Sequence, residues 1–223
     1  MNMQNASFKL QADRLIKTLS DLGIKKDVLN VMVKIPREAF LSAAFKNEAY
    51  NDSALPIGES QTISQPKVVA LMTHALDVQK GHKVLEIGTG CGYQTAVLCK
   101  LARRVFTIER FASLKNGAEK RLHGLAISNF VTQVGDGSLG WPMQAPFDRI
   151  MVTAASPEAP KALLDQLGEN GVMVIPIGKQ EDEYQKLMRY YRRSDGTIGE
   201  YYLGDVRFVP LVGAQGVPEQ EAC

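Results

Sequence analysis

The sequence predicts an α/β fold: a doubly wound, mostly parallel sheet, with an N-terminal helical segment before it and C-terminal antiparallel strands after it. Three observations carry the prediction. Short apolar stretches of strand character alternate with stretches of helical spacing through the middle of the chain. One of them, Val84-Leu85-Glu86-Ile87, runs straight into Gly88, Gly90 and Gly92, and helical spacing resumes at Thr95. A strand that turns abruptly into a helix needs glycine where a Cβ would forbid the backbone angles or hold a ligand off the main chain. Beyond residue 178 the helical stretches cease and β-rich segments follow one another.

A length of 223 residues suffices for one well-buried domain. A single domain is expected, with a helical segment and loop at 1–65, a core at 66–178, strands at 179–213 and a tail at 214–223. Twenty-six basic against 24 acidic residues leave a net charge of +2, so no strong field recruits nucleic acid or a membrane. Residues 1–15 lack the apolar core of a secretory signal, and nowhere do eighteen apolar residues run together. Cys91, Cys99 and Cys223 show no metal-ligand spacing and leave one thiol unpaired in any disulfide scheme. With three scattered histidines, they predict no metal site and a reducing cytoplasm.

From the amino end, Leu10, Leu15, Leu19 and Leu22, then Val28, Leu29, Met32 and Val33, recur at three- and four-residue intervals. They predict two amphipathic helices broken near Gly23, the second ended by Pro36, and a short further helix over 37–45. These elements read as padding for one edge of the sheet. Residues 54–66 form a loop by composition, yet carry Leu55, Ile57 and Ile63, as a loop that closes over something would. Ser64 and Pro66 also read as the start of a helix over 66–78, a role for Ser64 compatible with one in a site.

Strands are predicted at 83–87, 105–108, 130–134, 149–152 and 172–177, and helices at 93–102, 112–123 and 158–167. Ligands of such sheets bind at the carboxyl ends of the strands. The turn reads E-x-G-x-G-x-G rather than the G-x-G-x-x-G of a dinucleotide site. An acid at Glu86 would repel a pyrophosphate and suit a cationic ligand, which points to S-adenosylmethionine. Glu109 closes the second strand, where it can accept both ribose hydroxyls, and Asp136 follows the third, where it can read an adenine amino group. The fourth strand ends in the small residues Thr153, Ala154 and Ala155, leaving room for a reacting group or allowing close helix packing. Segments 185–192 and 201–212 complete the sheet as antiparallel strands, and 214–223 is expected to fray.

The run from Ala54 to Pro66 (A-L-P-I-G-E-S-Q-T-I-S-Q-P) and V-L-E-I-G-T-G-C-G-Y from Val84 resemble bacterial protein-L-isoaspartate O-methyltransferases. So do G-D-G at Gly135, F-D-R-I-M-V-T-A-A at Phe147 and V-R-F-V-P-L-V at Val206. The glycine motif is common to many methyltransferases; the Q-T-I-S-Q-P loop and the V-R-F-V-P-L segment are more specific. The resemblance implies a Rossmann-like methyltransferase fold in which Gly88, Thr89, Gly90, Gly92, Glu109, Arg110, Asp136 and Gly137 hold S-adenosylmethionine. Gln61, Thr62, Ile63 and Ser64 would cover the cofactor, and the segment from Arg207 to Val212 would fold back over the pocket, with Val212 at the cofactor. Ser64 would also touch the carboxylate to be methylated, with Ile57, Ala154, Val206 and Arg207 facing the substrate. At Cys91, where other members often have serine, the main chain would do the binding.

The implied reaction is methyl transfer to the free α-carboxylate of an L-isoaspartyl residue in a damaged protein, starting repair through a succinimide. Isoaspartyl proteins and peptides are then the partners, and a monomer is expected. A carboxylate is already ionised at neutral pH, so no general base is needed, consistent with a sequence that shows no catalytic His or Lys. A same-fold methyltransferase of another protein carboxylate or a small acid is the alternative. A non-catalytic cofactor-binding module and a dehydrogenase are more distant ones.

Overall fold

The computed structural model describes residues 3–221. Two helices open it, α1 (Met3–Asp21) and α2 (Lys26–Met32), separated at Gly23, whose φ is +77°. α2 stops well before Pro36, and the expected third helix is two 3-10 turns, Arg37–Phe40 and Ala43–Glu48. The loop predicted over 54–66 is a hairpin, β1 (Leu55–Gly58) against β2 (Gln61–Ile63). Its tip places Glu59 and Ser60 at φ +51° and +55°, a left-handed conformation that costs a residue with a Cβ about 1–2 kcal/mol. Contacts elsewhere hold it there: Ser113 Oγ donates to Glu59 Oε1 at 2.5 Å. Helix α3 (Pro66–Leu76) starts on its proline, and the N-cap position belongs to Gln65 rather than Ser64.

The core then runs β3 (Lys83–Ile87), α4 (Tyr93–Leu101), β4 (Arg104–Glu109), α5 (Ala112–Gly124), β5 (Phe130–Val134) and β6 (Phe147–Val152). It continues with α6 (Lys161–Asp165), β7 (Leu167–Ile177), β8 (Gln185–Arg192) and β9 (Ile198–Val206). Strand order is β5-β4-β3-β6-β7-β8-β9. The first five are parallel, and β8 pairs antiparallel with both of its neighbours. The central strands are apolar on both faces, as parallel strands covered by helices must be. Met151 and Val174 pack with Met32, Met72 and Leu98 on one side of the sheet. Their neighbours Ile150 and Met173 pack with Leu85, Phe106 and Leu163 on the other. Among the described residues no helix is long and apolar enough to cross a membrane.

Three further expectations change. The helix expected over 158–167 is only Lys161–Asp165, because Pro160 keeps the residue before it out of the helical region and Leu167 already pairs with Phe147. The last strand begins earlier and ends at Val206. From there the chain leaves the sheet and crosses to the end of β6. Ala155 N donates to Val209 O (2.8 Å), and Leu211 N donates to Ala155 O (2.7 Å). The tail does not fray over its described part: Val217 N donates back to Leu211 O (2.7 Å) and Gly213 N to Val217 O (3.1 Å). Residues 222 and 223, and with them Cys223, lie outside the described residues.

Candidate active site

Strands β4 and β6 lie on opposite sides of β3, so the connections leaving β3 and β6 diverge and open a crevice at their carboxyl ends. Short bonds hold its edges. Gly88 N donates to Ile108 O (2.8 Å), Thr153 N donates to Ile87 O (2.9 Å), and the Thr153 hydroxyl lies 2.9 Å from both Ile87 O and Gly88 O. Gly88 has φ +93°, and a Cβ there would sit 2.4 Å from Thr153 Oγ1, so only glycine fits. At Gly90 a Cβ would meet Ile57 Cδ1 at 3.2 Å, which shows how closely the hairpin roofs the glycine loop.

The crevice is a cleft of about 810 Å³, the open solvent at its mouth included. It gathers Gly88, Thr89 and Gly90 below, with Ile57, Gln61, Thr62, Ile63 and Ser64 from the hairpin side. Glu109, Arg110 and Gly137 close one end, and Ala154 and Val212 line it as well. Glu109 is nearly buried; its Oε2 accepts from Gly90 N (2.7 Å) and its Oε1 from Phe111 N (3.1 Å). A carboxylate has about four lone-pair sites, so acceptor capacity remains toward the cleft.

Five of the sequence-predicted residues fall outside this lining. Glu86 is 0 % exposed and lies beneath the loop, where Thr95 and Thr107 hydroxyls donate to its Oε2 at 2.5 and 2.7 Å. Thr107, its single proton so used, accepts from Thr89 at 2.7 Å, which ties the acid to the loop above. Burial pushes the Glu86 carboxyl up to about 8 against the pull of the two threonines, and Glu109 adds a little. It is a neutral brace and not a partner for a cation. Gly92, at φ +93°, sits before α4, where a Cβ would meet Ala118 Cβ at 3.1 Å; it serves the packing of α4 on α5.

Asp136, the expected adenine reader, binds the chain and lines a depression that shares Arg110, Gly135 and Val212 with the cleft. Its Oδ1 accepts from Ser138 N and Ser138 Oγ (2.8 and 2.6 Å), and its Oδ2 accepts from Ala214 N (2.7 Å). Gln215 N donates to Ser138 Oγ (2.9 Å), and Arg110 pairs with Glu219 at 2.9 Å, so the tail is strapped beside the cleft. Val206 is buried at the end of β9, and exposed Arg207 donates to Glu183 O (3.3 Å). Both lie before the stretch that reaches the cleft, which is Val209, Pro210, Leu211 and Val212.

Some lining residues were missed, among them Tyr93 and Gln94 at the start of α4 and Thr153 beyond β6. Thr153 had a signal, as the first of the small residues closing the fourth strand. Tyr93 had only its place directly after the glycines.

The whole arrangement has counterparts among known proteins. A family model described as protein-L-isoaspartate(D-aspartate) O-methyltransferase matches residues 10–216. The chain belongs to that family. Proteins called protein-L-isoaspartate O-methyltransferase from Rhodospirillum rubrum and Dictyoglomus thermophilum are 52% identical over 211 residues and 50% identical over 204 residues. The first comparison covers 94% of this chain and 95% of the relative, the second 91% of each. A solved protein-L-isoaspartate O-methyltransferase superposes with a TM-score of 0.83 at 28% identity, covering 92% of this chain and 67% of that one. A Plasmodium falciparum structure described as a beta-aspartate methyltransferase in complex with S-adenosyl-L-homocysteine gives 0.76 at 28%, covering 89% and 97%. The family's Rossmann-like sheet is thus the sheet seen here.

Two of the reassigned acids can be tested within this methyltransferase fold. Glu86 titrates higher folded than unfolded (ordinary value ~4.3), so the native state keeps a proton that the unfolded chain releases. Its contribution to stability is full below the unfolded value and is lost as pH rises toward about 8. Glu86→Gln therefore flattens the fall of Tm between pH 5 and 8.5; parallel wild-type and variant curves would refute a buried neutral acid. Asp136→Ala releases the tail, so backbone amides of 213–217 exchange with deuterium faster, on the order of tenfold or more for a lost charge-assisted bond. Unchanged protection there would show that Asp136 does not hold the strap.

Proposed function

We propose that the cleft binds S-adenosylmethionine along the glycine loop and presents an isoaspartyl α-carboxylate to it between the hairpin and the 209–212 segment. The observation that carries this reading is the convergence of three separate segments on the end of β3. The Gln61–Ile63 strand with Ser64, the Gly88–Gly90 loop and Val209 to Val212 all line one cleft. The residues fit the cofactor's chemistry. Glu109 offers carboxylate lone pairs for vicinal hydroxyls, Ile108 and Leu211 offer apolar surface for a flat ring, and the Cβ-free loop lets a ligand approach the main chain.

When bound, S-adenosylmethionine supplies a sulfonium methyl, which the carboxylate oxygen takes as the carbon–sulfur electron pair returns to sulfur. The chain's own part is to bind, align and dry the site. The hairpin roofs the loop and excludes water, and Ser64 donates a hydrogen bond that aims the carboxylate without activating it. The methyl ester formed is then displaced by the next backbone nitrogen of the substrate, giving a succinimide and methanol. Water opens that ring in part to normal aspartate, which is the repair.

We take the enzyme to act as a monomeric single domain, in which residues between Ile57 and Val212 of one chain supply the walls of the cleft. We place it in the cytoplasm, a reading supported by the free, buried thiols of Cys91 and Cys99.

The test uses methyl-labelled cofactor and two peptides that differ only in an isoaspartyl or a normal aspartyl linkage. Base-labile label on the isoaspartyl peptide alone is the expected result, and equal label on both would make the protein a broader carboxyl methyltransferase. Ser64→Ala should lower kcat about 10- to 100-fold, the worth of one charge-assisted bond, with cofactor affinity unchanged. A collapse of cofactor binding in that variant would make Ser64 a structural residue.

A further inference from the structure

The segment around residue 37 reads from sequence as padding, but the Arg37 side chain turns inward from its 3-10 turn and is 0 % exposed. Its Nε donates to Ala49 O (2.7 Å) and its Nη2 donates to Ser64 O (2.7 Å). The guanidinium carbon lies 4.9 Å from the centre of the Tyr93 ring, and Nη1 is buried with no partner. Among the described residues no carboxylate pairs with it. The neighbouring Glu38 is bound instead by the Tyr50 hydroxyl at 2.6 Å. Burial lowers the guanidinium's pKa against the opposing effects of Tyr93 and Cys91. An arginine nonetheless stays charged in a folded protein.

A buried cation without a counter-ion is costly, and the cost falls when an anion comes near. Both Ser64 and Tyr93 line the cleft, so Arg37 stands directly behind its wall. We propose that Arg37 is a positioning residue for the carboxylate bound beside Ser64. Its bond to the Ser64 carbonyl sets the loop that aims the hydroxyl. Its unpaired charge, acting past the Tyr93 ring, holds the anion on that side of the cleft. Acting from behind has a chemical consequence. A guanidinium in direct, two-pronged contact would occupy the lone pairs of the carboxylate, whereas one behind the wall leaves them free to take the methyl group. The inference rests on the methyl-transfer reading above, and two carboxylates enter such a cleft: that of the isoaspartyl substrate, to which we assign Arg37, and that of the cofactor's methionyl part.

The experiment compares wild-type enzyme with Arg37→Met and Arg37→Lys. It measures cofactor Kd by calorimetry, KM and kcat for the isoaspartyl peptide at saturating cofactor, and Tm. Arg37→Met is expected to lower kcat/KM for the peptide about 10- to 100-fold while cofactor Kd stays within about threefold. Arg37→Lys, which keeps the charge but not the fork, should fall between the two. Should the methionine variant not fold, Arg37→Lys carries the test, through a lowered peptide kcat/KM with cofactor Kd within about threefold. A parallel loss of cofactor affinity would assign Arg37 to the cofactor's carboxylate and overturn the proposal. So would variants with lowered Tm but wild-type kcat/KM. Wild-type enzyme that leaves the isoaspartyl peptide unlabelled would refute the functional reading itself, and the Arg37 assignment with it.

Discussion

Everything at this site depends on the parting of β3 and β6. Two parallel neighbours end side by side, and their continuations diverge, leaving main-chain groups at the edge of a gap. Thr153 closes that edge by placing its hydroxyl against the Ile87 and Gly88 carbonyls. It can do so only because Gly88 lacks a Cβ, which would fall within 2.4 Å of the same oxygen. The other two walls lean on this junction. The hairpin brings Ile57 down on Gly90, and the 209–212 segment extends the end of β6 through the paired bonds at Ala155. The cleft is therefore a property of strand order and is completed by segments distant in sequence.

The charged groups around it divide into those that face the ligand and those that hold the frame. Of the three acids at strand ends, only Glu109 lines the cleft. Glu86 is held protonated under the loop by burial, with Thr89 and Thr107 relaying from the loop to it. Asp136 is turned to the tail. On the other side, Arg37 brings a positive charge to the hairpin without a carboxylate partner. A site that must receive two carboxylates, an ammonium and a sulfonium keeps its fixed charges few and mostly behind the first layer of atoms. Charges out of contact steer a ligand without capturing its reacting lone pairs.

That arrangement suits a reaction with no proton to move. The nucleophile arrives ionised and the methyl group arrives activated, so alignment and exclusion of water supply the rate, with effective-concentration gains of up to roughly 7–11 kcal/mol. The structural investment matches. The hairpin tip, held in left-handed backbone by Ser113, and the strapped tail both enclose, and neither brings a general base into the cleft.

The resemblance to the family supplied the Gln61–Ser64 segment; the residues by themselves determined the alternation of strands and helices, the glycine turn and the acid at Glu109. Each of these last three is written in local pattern: period, backbone permissiveness, or position at a strand end. The sequence could not say that 54–66 pairs as a hairpin or that the last strand stops at Val206. It could not show that the tail returns to Asp136 or that Arg37 turns inward to Ser64. Those outcomes were decided by contacts between residues far apart in the chain. Whether a carboxylate at a strand end faces a ligand, a threonine or a backbone amide depends on which segment arrives to bury it. Only the tertiary structure brings that segment there.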